Sequence, residues 1–157
     1  SRDMLAQMVT ERIYRVGAYE CPGRVWEVDS VQAYFQSNMD FLNDTFRNQA
    51  FRDDKPVWTK LRDEMPARYL GNSKVTNSLV ADGCLIEGTV ENSILFRGVV
   101  VKPGAVIKNS IIMQDAVVSR NAEVENCILD KQVTLRESVR LIAPSSYPLV
   151  VAKNLTI

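Results

Sequence analysis

Apolar positions recur every six residues in the middle of the chain. Written in sixes, the stretch from Val101 to Val118 reads VKPGAV IKNSII MQDAVV, with an apolar residue opening each six. A small or apolar residue stands four places after each opening. Both sets are predicted to point into a core: Val101, Ile107, Met113 and Ala105, Ile111, Val117. After Val118 the openings become Ser119 and Glu125, which predicts a shortened side or a bulge.

A second, longer period runs through the same half of the chain. The phrases VTNSLV, VENSIL, IKNSII and VENCIL place Asn77, Asn92, Asn109 and Asn126 at spacings of 15, 17 and 17 residues. Periods of six and of nearly three times six predict a coil with three flat sides, the hexapeptide parallel β-helix. Strands this short are stable only when stacked coils pair their backbones. Residues 73–157 allow about four to five such coils.

The corners of such a coil need residues that tolerate a positive φ. Glycines at four positions are predicted to supply it: Gly83, Gly88, Gly98 and Gly104. The four recurring asparagines suit the same left-handed conformation. They could instead form a ladder of stacked amides, and a binding site is a third, less favoured interpretation. The segment APSSYP (143–148) interrupts the pattern, and the final run LVVAKNLTI is predicted to form closing strands.

The first 72 residues have a different texture, which changes every ten or fifteen residues. Leu5, Met8, Val9 and Ile13 follow a helical rhythm, with Asp3 placed to cap the start. The runs IYRVGAY and RVWEV predict two strands around a turn at Pro22-Gly23. Asp29 or Ser30 would cap a second helix, VQAYFQSNMDFLND, and residues 51–72 read as an extended connector.

Composition excludes several classes of function. Nineteen basic and nineteen acidic residues give no net charge to attract nucleic acid or an anionic membrane, and no apolar run could cross a bilayer. The expected location is the cytoplasm. Three widely separated cysteines (Cys21, Cys84, Cys127) indicate reduced, packed thiols rather than disulfides or a zinc site. With no histidine, the histidine-based acyltransferase mechanism of many hexapeptide proteins has no base.

The first part also carries a family resemblance. VWEVDSVQAYFQSNMDFLN (25–43) is similar to the segment that closes the catalytic domain of bacterial ADP-glucose pyrophosphorylase, or glucose-1-phosphate adenylyltransferase. PVWTKLRDEMPARYL, NSLVADGCLIEGTVENSILFRGVVV and NCILDKQVTL resemble its connector and β-helix in the family's order. Within the family, the sequence of these segments is most similar to that of the D-type glycogen biosynthesis subunit.

The resemblance implies a domain plan and an architecture. Residues 1–50 would be the C-terminal remnant of a nucleotidyltransferase domain, 51–72 a connector, and 73–157 the β-helix. The predicted fold is mainly β, a left-handed parallel β-helix preceded by a small α+β segment. No glycine-rich nucleotide loop is present, so we expect the C-terminal portion of a longer subunit, with no catalytic residues and no cofactor of its own.

The resemblance also implies candidate site residues. Catalytic members hold a divalent metal, Mg²⁺, with the aspartate of an R-D-V-G phrase, where this chain has Glu27, with Trp26 in place of the arginine and Asp29 in place of the glycine. Glu27 is therefore a metal candidate, or an ordinary polar residue at a strand end. Basic side chains flank the junction with the β-helix and are candidates for an effector phosphate, or simply solvated: Lys60, Arg62, Arg68 and Lys74.

The functional expectation follows from these departures. The chain reads as a regulatory or accessory subunit of the enzyme that makes ADP-glucose from ATP and glucose 1-phosphate. Its expected partners are a catalytic subunit or further copies of itself, with a sugar phosphate or nucleotide as effector. The alternatives are the same region of a catalytic subunit and an assembly module of another sugar nucleotidyltransferase.

Overall fold

The computed structural model describes residues 2–11, 14–20, 25–51, 56–58 and 63–157. The helices it describes all precede the strands: α1 (Arg2–Glu11), α2 (Val31–Met39), a 3-10 helix (Asp40–Leu42) and α3 (Asp44–Ala50). Cys21, the Pro22-Gly23 turn, Lys60 and Arg62 lie outside the described residues. No helix in the described part of the chain is long and apolar enough to cross a membrane.

Fifteen short strands from residue 68 onward form three parallel sheets, each of five strands. The first sheet contains β1 (Arg68–Tyr69), β4 (Leu85–Ile86), β7 (Val100–Val101), β10 (Val117–Val118) and β13 (Thr134–Leu135). The second contains β2 (Lys74–Thr76), β5 (Thr89–Glu91), β8 (Val106–Lys108), β11 (Glu123–Glu125) and β14 (Arg140–Ile142). The third contains β3 (Leu79–Val80), β6 (Ile94–Leu95), β9 (Ile111–Ile112), β12 (Cys127–Leu129) and β15 (Leu149–Val151).

Successive strands along the chain belong to the first, second and third sheets in turn, which is the arrangement of a three-sided solenoid. This confirms the mainly β fold with a hexapeptide-repeat β-helix. The strand β1 already pairs with β4, so the solenoid starts within the stretch expected to be connector. The closing strands are confirmed as well, because β15 pairs with β12 and Thr156 bridges to Thr134.

Every coil but the last is slightly shorter than three full sixes. Val100 pairs with Val117 and Val117 with Thr134, seventeen residues on in each case. One early coil has fifteen residues, since Leu85 pairs with Val100, and the 143–148 insertion lengthens the last one. The inward residues of one coil show where the missing residue lies, because Ile107, Ile112 and Val118 are separated by five and then six positions.

The shortened side changes which residues fill the lumen. Val101, Ala105 and Ile107 are fully buried there, as predicted. The prediction was wrong for Ile111, which is buried but does not belong to the lumen, and for Met113 and Val117, which are only half-buried. Because the side between the second and third sheets has five residues rather than six, the inward phase moves one place earlier. The core positions that follow are Ile112, Ala116, Val118, Ala122 and Val124.

The corners combine two of the predicted devices. The four recurring asparagines all have positive φ, between 43° and 55°. The Asn77 amide also donates a hydrogen bond to the Asn92 side chain at 2.6 Å, so part of the column is a true amide ladder. Gly83, Gly98 and Gly104 have positive φ, but Gly88 does not. Gly88 is needed instead for close approach, since a Cβ there would lie 2.4 Å from the Ala105 carbonyl oxygen.

Next to the asparagine corner a column of buried hydroxyls links consecutive coils. The Ser93 hydroxyl accepts from the Ser110 backbone N–H, and the Ser110 hydroxyl accepts from the Cys127 N–H, both at 3.1 Å. Each hydroxyl donates in turn to a backbone carbonyl of its own coil at 2.6 Å. These buried polar groups are therefore satisfied, as the low dielectric of the lumen requires.

The helices that precede the solenoid differ from the prediction in two ways and agree with it in one. Asp3 lies inside the first turn of α1 rather than before it. Its negative charge there still interacts favourably with the positive end of the helix dipole. Ser30 is confirmed as the cap of α2, accepting from the Ala33 N–H at 3.0 Å. The helical pattern then breaks at the 3-10 turn, and Asn43 caps a separate helix, α3, by accepting from the Thr45 N–H.

The two strands predicted from IYRVGAY and RVWEV are not formed in the described residues 14–20 and 25–29, which are neither strand nor helix. The described part of residues 2–51 therefore contains helices and no strand, instead of the expected α+β segment. A two-stranded hairpin is marginal in water unless a third strand or a packed surface supports it. The alternating apolar residues of these runs remain exposed, with Tyr19 at 85% and Val25 at 76%.

Candidate functional site

The helical segment, defined here as residues 25–51, lies against the outer face of the third sheet. The outward residues of that sheet, Ile94, Ile111 and Ile128, are buried although they do not belong to the lumen. Val31 and Tyr34 of α2 line one cleft together with Ile128, and Leu42 and Phe46 line a groove farther along. The junction between helices and solenoid is thus a face where concave sites and buried outward side chains coincide.

An aromatic cluster shapes the helical segment. The rings of Trp26 and Phe41 stack with centroids 5.8 Å apart, and Phe51 packs on Phe41 at 5.9 Å. The Trp26 indole N–H donates to Asp40 at 3.3 Å, and the Gln36 amide donates to the other Asp40 oxygen at 3.0 Å. Trp26 therefore serves packing at the position where the resemblance leads one to expect an arginine.

The first cleft at the junction has a volume of about 440 Å³ and is mainly apolar. It is bordered by Tyr34, Met113 and Val150, with the carboxylates of Asp29 and Asp130 at its edge. Burial raises the pKa of the Tyr34 phenol, and the negative charge of Asp130 raises it further, against an opposing hydrogen bond from Asn38. The phenol therefore stays protonated at neutral pH and can only donate or accept hydrogen bonds here.

The second concave site is a groove of about 670 Å³ between the asparagine corner and the turn from the 3-10 helix into α3. One wall consists of Asn77, Asn92 and Asn109, from three consecutive coils. The other wall is formed by residues 39–46 of the helical segment. A volume of this size is typical of small-molecule sites.

The metal candidate is not supported by further ligands. Glu27 is exposed, and the part of the chain that the structure describes contains no group of three side chains that could hold a metal ion. The residues present therefore do not form a protein-built magnesium cage. Asp29, which stands where the family has glycine, borders the 440 Å³ cleft instead.

The structure describes two of the four basic candidates, Arg68 and Lys74. Arg68 lies on β1 and Lys74 on β2, and both side chains are exposed at the first coil. They stand on two different sheets, joined by the turn at Gly71, whose φ is +59°. Lys60 and Arg62 fall outside the described residues. Sequence reasoning missed both concave sites at the junction, although the apolar outward positions of the third sheet were a usable signal.

The described cysteines are packed thiols, as predicted. Cys84 and Cys127 are free and buried. Burial raises the pKa of the Cys127 thiol to about 11, and burial likewise raises the pKa of Cys84. Both are protonated and unreactive at neutral pH.

The solenoid architecture and the sequence comparisons together define the class of protein. Residues 65–142 match the family model described as GlmU-like, C-terminal hexapeptide. This span contains most of the solenoid, so the chain is a hexapeptide-repeat β-solenoid protein by both sequence and structure.

Relatives narrow the class further and confirm the resemblance to the ADP-glucose pyrophosphorylase family. The chain is 47% identical to the glycogen biosynthesis protein GlgD of Bacillus subtilis over 87% of its own length and 40% of that protein. It is 45% identical to GlgD of Geobacillus stearothermophilus over 45% of its length and 21% of that protein. With the glucose-1-phosphate adenylyltransferase of Acetivibrio thermocellus it shares 39% identity over 79% of its length and 29% of that protein. The chain thus spans two-fifths or less of these relatives.

Proposed function

We propose that this chain is the solenoid-bearing part of a regulatory or accessory subunit of ADP-glucose pyrophosphorylase, acting in glycogen biosynthesis in the cytoplasm. The observation that carries the proposal is the 47% identity to a GlgD protein across 87% of the chain. In this role the solenoid holds subunits together and transmits the binding of an effector, and the complete enzyme converts ATP and glucose 1-phosphate to ADP-glucose and pyrophosphate. Its partner is a catalytic subunit, a second copy, or both.

The site residues support an accessory rather than a catalytic role. Trp26 is committed to an aromatic stack and to Asp40, so it cannot replace an arginine beside the phosphates. Glu27 has one more methylene than aspartate and no ligand cluster around it in the described residues. Magnesium is then held by the catalytic partner, where it neutralises the phosphates of ATP.

The competing proposal is that the chain belongs to a catalytic adenylyltransferase subunit. It is favoured by the 39% identity to the Acetivibrio thermocellus enzyme. The two proposals differ in what the complete subunit does alone, because a catalytic subunit needs no partner for turnover.

The discriminating experiment measures ADP-glucose formation by the full-length subunit alone, by its catalytic partner alone, and by the mixture. We expect little turnover from the subunit alone and a changed response to effectors in the mixture. Turnover by the isolated subunit comparable to that of the partner would contradict the accessory role. Introducing only the arginine and aspartate of the family phrase, with Trp26→Arg and Glu27→Asp, should not create activity, since the stack of Trp26 on Phe41 would be lost.

Effector binding is tested at the first coil. In the mixture, fructose 1,6-bisphosphate and AMP serve as probes of the sugar-phosphate and nucleotide classes. Arg68→Gln should weaken the response to a phosphate effector, since an exposed guanidinium suits bidentate phosphate binding. Arg140→Gln is the matched control, because Arg140 is already paired with Glu123 at the far end of the solenoid. Equal effects of both variants would indicate a general charge effect rather than a site.

A further inference from the structure

The 670 Å³ groove at the asparagine corner presents amides at a regular spacing. Asn77, Asn92 and Asn109 occupy the same corner of three consecutive coils, so they follow one another at the strand spacing of about 4.8 Å. That spacing is comparable to the separation of hydroxyl groups two carbons apart on a pyranose ring. Each amide offers both a donor and an acceptor, as a hydroxyl partner requires.

The side-chain amides of the asparagine column are not all hydrogen-bonded within the part of the protein that the structure describes. Asn77 donates to Asn92 at 2.6 Å, and Asn126 donates to the Ala143 carbonyl at 2.8 Å. The Asn109 amide lies between these two bonds and takes part in neither. Asn126 does not line the groove, so Asn109 is the asparagine of this column whose amide can bond to an external partner there.

Among the residues that the structure describes, the facing wall supplies carboxylates and apolar surface but no cation. Asp40 and Asp44 are the described ionisable groups that line the groove, and Arg47 of α3 is paired with Asp44 and donates to the Phe41 carbonyl at 3.1 Å. Within the described wall a phosphate would meet two acids and a guanidinium that is already paired with one of them, which is the reverse of a phosphate site. Carboxylates and amides together are good acceptors for hydroxyl groups.

The apolar part of the same wall completes the match. Met39, Leu42 and Phe46 line the groove beside the acids. The C–H face of a sugar ring is apolar, so it packs favourably on an aromatic or aliphatic surface while the hydroxyl edge bonds to polar groups. We infer that this groove binds an uncharged polyhydroxylated ligand, a neutral saccharide, between the asparagine column and Phe46.

This site is separate from the effector candidates Arg68 and Lys74 and does not rest on the accessory role. Its ligand carries no phosphate, whereas the proposed effector does. A saccharide bound here would contact the helical segment and the solenoid at once, and would therefore favour the docked arrangement of the two.

The test uses the full-length protein and calorimetric titration with glucose, maltose and maltoheptaose as neutral probes, and glucose 6-phosphate as the charged one. Asn109→Gly removes the amide and keeps the positive φ accessible. Asn126→Gly is the matched control, one coil farther along the same corner and outside the groove. We expect at least one neutral saccharide to bind, and Asn109→Gly to weaken it about tenfold by loss of its hydrogen bonds.

Phe46→Leu should weaken binding severalfold while retaining the apolar volume, and Asn126→Gly should leave it unchanged. Urea midpoints of the variants verify that each one is folded. Failure of all neutral probes to bind at concentrations of about 10 mM would overturn the inference. So would equal losses in Asn109→Gly and Asn126→Gly, or tighter binding of glucose 6-phosphate that depends on Asn109. None of these outcomes bears on turnover by the mixed enzyme.

Discussion

The solenoid and the helical segment are stabilised in opposite ways. In the solenoid every strand pairs with the coil above or below, and its lumen contains side chains with no solvent exposure, such as Val90, Ile107 and Leu135. In the helical segment, α2, the 3-10 helix and α3 contain no fully buried residue. The solenoid therefore supplies its own core, whereas the helices depend on the surface of the third sheet.

The helix α1 shows the same dependence more strongly. Leu5 and Val9 lie on its apolar face and are 54% and 58% exposed. An isolated helix of ten residues is marginal in water, so its apolar face requires a partner surface. The junction therefore joins a solenoid that has its own buried core to helices that have none.

The largest expected effect is in the core of the solenoid. Ile107→Ala leaves a cavity in a lumen that cannot collapse, so it should lower the free energy of unfolding by about 2 to 5 kcal/mol. Val9→Ala on the exposed face of α1 should change it by less than about 0.5 kcal/mol. Urea unfolding followed by circular dichroism measures both, and similar shifts in the two variants would refute the contrast.

The next effect uses the buried thiol of the solenoid. The folded-state pKa of Cys127 is raised to about 11 from 9.0, so the unfolded chain loses its proton first as the pH rises. The contribution of the Cys127 thiol to the free energy of unfolding is constant below about pH 9. It falls by at most about 1.4 kcal/mol per pH unit between pH 9 and pH 11. Unfolding experiments across this range should show the loss in the natural protein.

Cys127→Ser is the control for that titration, because serine fits the column of Ser93 and Ser110 and does not ionise in this range. Its stability should fall less steeply above pH 9 than that of the natural protein. Identical pH profiles would show that other groups, and not the Cys127 thiol, govern alkaline unfolding.

A smaller effect distinguishes the backbones of the two regions. Asn92 has a φ of 44°, so Asn92→Gly should be more stable than Asn92→Ala by about 0.5 to 1 kcal/mol. Asn38 lies inside α2, where alanine is the better helix former. There Asn38→Ala should be more stable than Asn38→Gly by about 1 kcal/mol. Thermal melts of the four variants provide the measurement. The same order at both sites would contradict the assigned conformations.

The smallest effect concerns surface ion pairs. Arg140→Ala removes the 2.7 Å pair with Glu123 across two coils and should cost about 0.2 to 1 kcal/mol. Arg47→Ala removes the pair with Asp44 within α3, together with the bond to the Phe41 carbonyl. Double-mutant cycles at low and high salt should give weaker coupling at high salt for both pairs. Coupling that does not respond to salt would show that packing, not charge, is measured.

The repeat in the sequence was enough to predict the solenoid because each coil obeys the same local rules. The recurrence of Asn77, Asn92, Asn109 and Asn126 predicts both the stacking direction and the corner that they share. The exact inward phase could not be predicted, because a five-residue side is indistinguishable from a six-residue side until strands are paired. Ile111, Met113 and Val117 were misassigned for this reason.

The candidate site was predictable only in part. Arg68 and Lys74 were found as basic residues at the junction, but their separation onto two sheets depends on the coil geometry. The groove was not predicted, since its walls come from residues 39–46 and from asparagines up to seventy residues away in the chain. Nor could α3 be separated from α2, because the break at the 3-10 turn depends on the Asn43 cap.

By itself the sequence determined the period, the stacked corners, the buried thiols and the kinship, because these arise from short-range rules repeated along the chain. Only the tertiary structure decided that the outward isoleucines Ile94, Ile111 and Ile128 are buried, and that Ile128 lines a cleft together with α2. It also decided that the asparagine column faces Phe46 across a groove. The physical reason is that burial of an outward face depends on which distant segment covers it, and local periodicity carries no information about that.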